Sequence, residues 1–134
     1  MSNPSANRWL RMASLYFILG VCLGVGMAAS PDHDFRLMPV HAHLNLLGWV
    51  SAALIGLLHY RFPAMCEMKM ARVAFWFYQI GLPGMMVALA TMLLGGGSEA
   101  TIGPVIGVFS MLVLAAVLML VRSLWKAMAQ PAAN

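Results

Sequence analysis

The chemistry this chain can offer is concentrated in its imidazoles. All four histidines, His33, His41, His43 and His59, fall in one part of the 134-residue sequence. Three of them, His41, His43 and His59, lie on an apolar stretch that runs from Leu37 to Tyr60 without an Asp, Glu, Lys or Arg. Ionisable side chains inside a long apolar segment are rare, and they mark ligand sites, proton paths or interhelical hydrogen bonds. Neutral imidazole is also a common metal ligand. Two readings follow: a histidine hydrogen-bonded to a neighbouring helix, or a histidine that holds a metal or a heme iron.

Helical geometry sorts the three. At about 100° per residue, His59 falls five full turns after His41, on the same face and about 27 Å along the axis. Asn45, Gly48, Ala52 and Gly56 lie within about 60° of that line. His43 is turned by about 200° and shares its side with Leu47, Val50, Leu54 and Leu57. His41 and His59 are therefore expected to face inward, and His43 to face lipid or another subunit. His41-Ala42-His43 could bind Cu or Zn as an isolated pair, but side chains at i and i+2 diverge and reach one ion only if the helix start unwinds. A heme needs one imidazole per face and an apolar slot for its porphyrin. Gly48, Ala52 and Gly56 offer such a slot beside His41, or else a surface for close helix packing.

The remaining candidates are weaker. Met65-Cys66-Glu67-Met68-Lys69-Met70 is rich in sulfur, which suits Cu(I). The chain holds 13 methionines, however, so its composition alone supplies most of that sulfur, and copper is not expected. Asp32-His33-Asp34 could form an outer metal site, or be a solvated loop. Cys22 and Cys66 belong to different depths and are not expected to bridge. No hydrolase triad, phosphate loop or nucleophilic cysteine arrangement is present.

The elements that must position these residues follow from composition. Apolar residues make up 62% of the chain and charged ones 9%, against about 25% charged in soluble domains. A small soluble domain needs a charged shell that this sequence cannot supply. The expected fold is an all-α, polytopic membrane protein: one transmembrane domain over residues 1–134, a four-helix bundle with helices near 9–29, 39–61, 72–95 and 101–126. Each apolar stretch approaches or exceeds the roughly 20 residues needed to cross the hydrocarbon layer. Ser30-Pro31-Asp32, Phe62-Pro63 and Gly95-Gly96-Gly97-Ser98 separate them. Pro83-Gly84 and Gly103-Pro104 predict kinks, or a frayed start in the second case. The first seven and last four residues read as disordered tails.

Orientation follows from the basic residues. Arg8, Arg11, Arg61, Lys69, Arg72, Arg122 and Lys126 flank one side and Arg36 alone the other, a split of seven to one. Both termini are then expected inside the bacterial cytoplasmic membrane. The net charge of +4 reports this topology and not a nucleic-acid partner. Trp9, Trp76 and Trp125 read as an inner aromatic belt, with Trp49 deeper.

His41-Ala42-His43-Leu44-Asn45-Leu46-Leu47-Gly48-Trp49, continuing to Tyr60-Arg61-Phe62-Pro63, resembles the second transmembrane helix of heme–copper oxidase subunit I proteins, the superfamily of cytochrome oxidases and bacterial nitric oxide reductases. The likeness covers about 25 residues well and the first two helices loosely. It implies a low-spin heme ligand near the outer surface, which falls on His41 through the H-x-x-L-N pattern. It also departs from the family. Full subunits carry twelve or more helices, and no histidine follows His59 here. The copper-site histidines are absent, and oxygen reduction by this chain alone is not expected.

The resemblance implies one heme b per chain, ligated by His41, with Asn45, Gly48 and Trp49 shaping the pocket. His43 is an alternative ligand. The sixth position would come from His41, His43 or His33 of a second copy, from Met27 or Met92, or stay open for a gas. Arg36, the lone outer cation, is expected to pair with a heme propionate or to be an ordinary loop residue. His59 is a candidate holder for a second heme or a plain interfacial histidine. The implied activity is electron transfer or binding of NO or O2, in a homo-oligomer with a respiratory-chain partner in the lipid bilayer. The alternatives are a cofactor-free accessory or assembly subunit, and a small copper-handling membrane protein.

Overall fold

The computed structural model of the chain describes residues 3–32 and 34–129. Among these, every regular element is helical. Helix α1 is Pro4–Ala29, α2 is Met38–Arg61, α3 is the short Ala64–Glu67, α4 is Lys69–Leu93 and α5 is Glu99–Met128. The four long helices have 26, 24, 25 and 30 residues and are apolar enough to cross a membrane. At about 1.5 Å rise per residue, each exceeds the roughly 30 Å hydrocarbon layer.

Local chemistry sets the ends. Asn3 caps α1, its side-chain oxygen accepting the Ala6 N–H, and Pro4 fills the first turn where a missing N–H costs nothing. The helix therefore begins inside the segment expected to be a disordered tail, and residues 3–7 are ordered by this cap. Residues 131–134, the other expected tail, lie outside the described residues. Phe62-Pro63 stops α2 as expected, but the loop beyond it folds into α3. Gly95, with φ of +82°, turns the chain after α4 in a conformation that favours glycine. Ser98 caps α5. The helices run on through Pro83 and Pro104, so neither proline ends its helix, and Pro104 lies one turn inside α5 instead of at a frayed start.

Two antiparallel hairpins make the bundle. Helix α1 packs along α2, and α4 packs along α5. They are joined where α2 packs against α4 and where side chains of α1 reach α4. Trp9 stacks edge-on against Phe75 at 5.1 Å and Tyr78 at 5.3 Å, and the Tyr16 hydroxyl donates to Gln79 Oε1 at 2.7 Å. Trp9 is 1% exposed. It is packed between the hairpins near the start of α1 and does not face outward, which corrects the expectation of a belt residue there. Trp76 and Trp125 do face outward.

Candidate functional site

Helix α2 carries all three described histidines, and its middle is not α-helical. From Leu44 to Ser51 it is a π-helix, wider than an α-turn. Such turns leave carbonyls without their usual partners. Here hydroxyls take them: Ser51 Oγ donates to the Leu46 carbonyl at 2.8 Å and Tyr78 Oη to the Leu47 carbonyl at 2.8 Å. This departs from the uniform α geometry expected of the helix. The available signal was the pairing of a serine and a glycine within one apolar turn.

The face expected to point inward does so despite the wider turn. Gly48, Ala52, Gly56 and His59 are buried, while Val50, Leu54 and Leu57 are exposed. The partner of this face is α1. A Cβ on Gly48 would stand 2.7 Å from Tyr16 Cβ and Cγ, and one on Gly56 would stand 2.9 Å from Leu10 Cγ. The small residues thus let two backbones approach, and Tyr16 fills the position where a slot beside Gly48 was expected.

His41 sits near the end of this seam where α2 begins, half-buried. Its Nδ1 lies 2.8 Å from the Gly20 carbonyl of α1. Because a carbonyl only accepts, Nδ1 carries a proton, and in the neutral tautomer this selects, Nε2 would present the lone pair. Nε2 has no hydrogen-bond partner among the described residues. The ring lies over Gly24, where an added Cβ would stand 2.8 Å from Cε1. Asn45 tightens the same turn: its Nδ2 donates to the His41 carbonyl at 2.9 Å, and its amide rests on Gly20.

The other two histidines are held differently. His43 Nδ1 bonds the Pro39 carbonyl of its own helix at 2.7 Å, and its side chain is exposed. His41 and His43 therefore diverge and do not converge on one ion. His59 is 1% exposed, its Nδ1 on the Ile55 carbonyl at 2.8 Å and its ring 6.3 Å from that of Trp9. The space beside it is about 10 Å³, room for about one water. A porphyrin does not fit there in this packing.

Arg36 has a partner on the chain. Its Nη2 donates to Asp34 Oδ2 at 2.6 Å and its Nε to both carboxylate oxygens at 2.9–3.0 Å. The guanidinium hydrogen-bonded to Asp34 holds that carboxyl below its usual range, and Asp34 in turn raises Arg36. Trp49 stacks on Phe17 of α1 at 4.8 Å. Met27 is buried at the end of α1 and Met92 half-buried at the end of α4, the same end of the bundle as His41. His33 lies outside the described residues. Among the described residues no three His, Cys, Asp or Glu side chains converge, and both cysteines are free.

What the arrangement can do chemically is present one imidazole, anchored through Nδ1 on the Gly20 carbonyl, at the end of the α1–α2 seam where α2 begins. No family model, curated protein or solved structure matches this chain.

Proposed function

We propose that this chain is a multi-pass, b-type heme-binding protein of the bacterial cytoplasmic membrane, with both termini inside and His41 as iron ligand. The observation that supports this most is the bond from His41 Nδ1 to the Gly20 carbonyl. Heme- and metal-ligating histidines characteristically anchor one ring nitrogen on a carbonyl or carboxylate, which orients the ring and raises the basicity of the other nitrogen. The rings of His43 and His59 hydrogen-bond only to carbonyls of their own helix. His41 alone is anchored by a second helix, so packing of α1 controls where its free Nε2 points.

The donor chemistry fits a heme, while the Gly48 face does not supply the slot. The macrocycle would be held by His41 with Asn45 supporting its turn, and Arg36 would have to exchange Asp34 for a propionate. Bound there, the heme would pass single electrons or bind NO or O2. The sixth position would be supplied by Met27 or Met92, by a histidine of a second copy, or left open. A respiratory-chain partner would exchange electrons with it.

A second reading is a cofactor-free accessory or assembly subunit. It is favoured by the Gly48–Tyr16 and Gly56–Leu10 contacts, which use the small-residue face for helix packing. Heme and iron content of the purified protein separate the two. About one heme per chain in wild type, retained in His43→Ala and lost in a folded His41→Ala, supports the first. Protein that folds and assembles without heme supports the second.

A further inference from the structure

At the opposite end of the bundle, where α1 begins, α2 ends and α4 begins, a narrow cleft collects Ser5, Arg8, His59, Cys66 and Arg72 around the buried Trp9. Two of these are arginines without a carboxylate partner. The one ion pair among the described residues is Arg36–Asp34, at the far end. Arg8 stays at the cleft because its guanidinium lies 5.3 Å from the ring centroid of Phe75. Phe75 is one turn after Arg72 on α4, and Arg8 and Arg72 line the one cleft from two helices. Glu67, the nearest acid in sequence, makes no ion pair among the described residues. Like charges gathered without a counter-ion repel each other, and an anion beside them would relieve that repulsion.

The chemistry of that anion is constrained. Arginine forks match phosphate oxygens, Ser5 adds a hydroxyl, and the beginnings of α1 and α4 bring positive helix ends to the same place. The cleft interior holds no more than about one water, so the anion caps the mouth instead of entering. Both arginines are exposed and flank helices long enough to span a bilayer. Basic clefts between membrane helices on the inner side take anionic lipid headgroups.

We propose that Arg8 and Arg72 form a binding site for the phosphate of an anionic phospholipid at the inner end of the bundle, clamping α1 to α4. The site rests on the membrane-spanning reading of the four helices and is independent of heme. Ordinary interfacial arginines provide the comparison. Arg61, stacked on Phe62 at 5.0 Å, and the exposed Arg122 lie at the same end but do not line the cleft.

The test is native mass spectrometry of the full-length protein equilibrated in detergent with equal amounts of phosphatidylglycerol and phosphatidylcholine. Wild type is expected to retain phosphatidylglycerol preferentially. Arg8→Gln/Arg72→Gln should lose about 25-fold in that preference, from about fivefold for each basic residue near an anionic surface. Arg8→Lys/Arg72→Lys should keep part of it, and Arg61→Gln/Arg122→Gln should leave it nearly unchanged, with circular dichroism confirming that each variant is folded. An equal loss in the Arg61/Arg122 pair, or no headgroup preference in wild type, overturns the proposal. Displacement of the lipid by millimolar inorganic phosphate also overturns it, because it assigns the site to the free anion.

Discussion

Replacing Gly48 by alanine probes the α1–α2 seam that orients His41. The added Cβ would stand 2.7 Å from Tyr16 Cβ and Cγ, whereas carbon atoms pack at about 3.5–4.0 Å. About 1 Å of separation must be found. Tyr16 cannot supply it by rotating, since its Cβ is one bond from the backbone and its hydroxyl is tied to Gln79. Helix α1 must therefore move, and overpacking of this kind costs about 1–3 kcal/mol. Part of that loss is offset, because alanine favours helix over glycine by about 1 kcal/mol. Gly107 provides the control: nothing lies within 4 Å of a Cβ placed there, so Gly107→Ala shows the helix preference alone. The helix preference is common to both variants and cancels, so they should differ by about 1–3 kcal/mol, with Gly48→Ala the less stable. Far-UV circular dichroism during unfolding in SDS-containing mixed micelles measures the difference. Equal stability of the two variants would show that the seam is not closely packed and that the account of this face is wrong.

Three further outcomes follow from the same geometry. Tyr78→Phe leaves the Leu47 carbonyl without its side-chain donor and should cost about 0.5–2 kcal/mol in the same assay; a change below that range would mean that the π-turn does not depend on this hydroxyl. Trp9→Ala removes the side chain that joins the two hairpins and should cost about 3–5 kcal/mol, with interhelical distance measurements showing α1 separating from α4. Asp34, hydrogen-bonded to Arg36, should titrate by carboxyl NMR below the usual value of about 3.9, and Arg36→Gln should return it there. The sign is that of a depressed carboxylate: the pair's contribution is present above the unfolded-state pKa and is lost as pH falls through the lower folded value. An unshifted Asp34 midpoint in wild type would refute the pairing.

The fold was largely legible because long apolar helices are written in composition and length. Two of the expected spans, 39–61 and 101–126, agree within two residues at each end with Met38–Arg61 and Glu99–Met128. The start of α1 was misplaced because the cap from Asn3 is a single polar contact outside the apolar run. The inward face of α2 was legible from periodicity, since Gly48, Ala52 and Gly56 stand among bulky neighbours. Their occupant was not. Whether a glycine stripe receives a cofactor or a neighbouring backbone depends on which helix packs against it, and Tyr16 lies 32 residues earlier in the chain. The anchoring of His41 on Gly20 was hidden for the same reason, as was the Tyr16–Gln79 bond between the hairpins. The π-turn was missed because it depends on hydroxyls of Ser51 and of the distant Tyr78.

The most direct measurement is the optical spectrum of the purified protein titrated with heme, in wild type and in single alanine variants of His41, His43 and His59. A Soret band that saturates at about one equivalent, persists in His43→Ala and His59→Ala, and vanishes in a still-helical His41→Ala is the predicted result. A band that survives loss of His41, or no band in wild type, contradicts the assignment of this imidazole to iron.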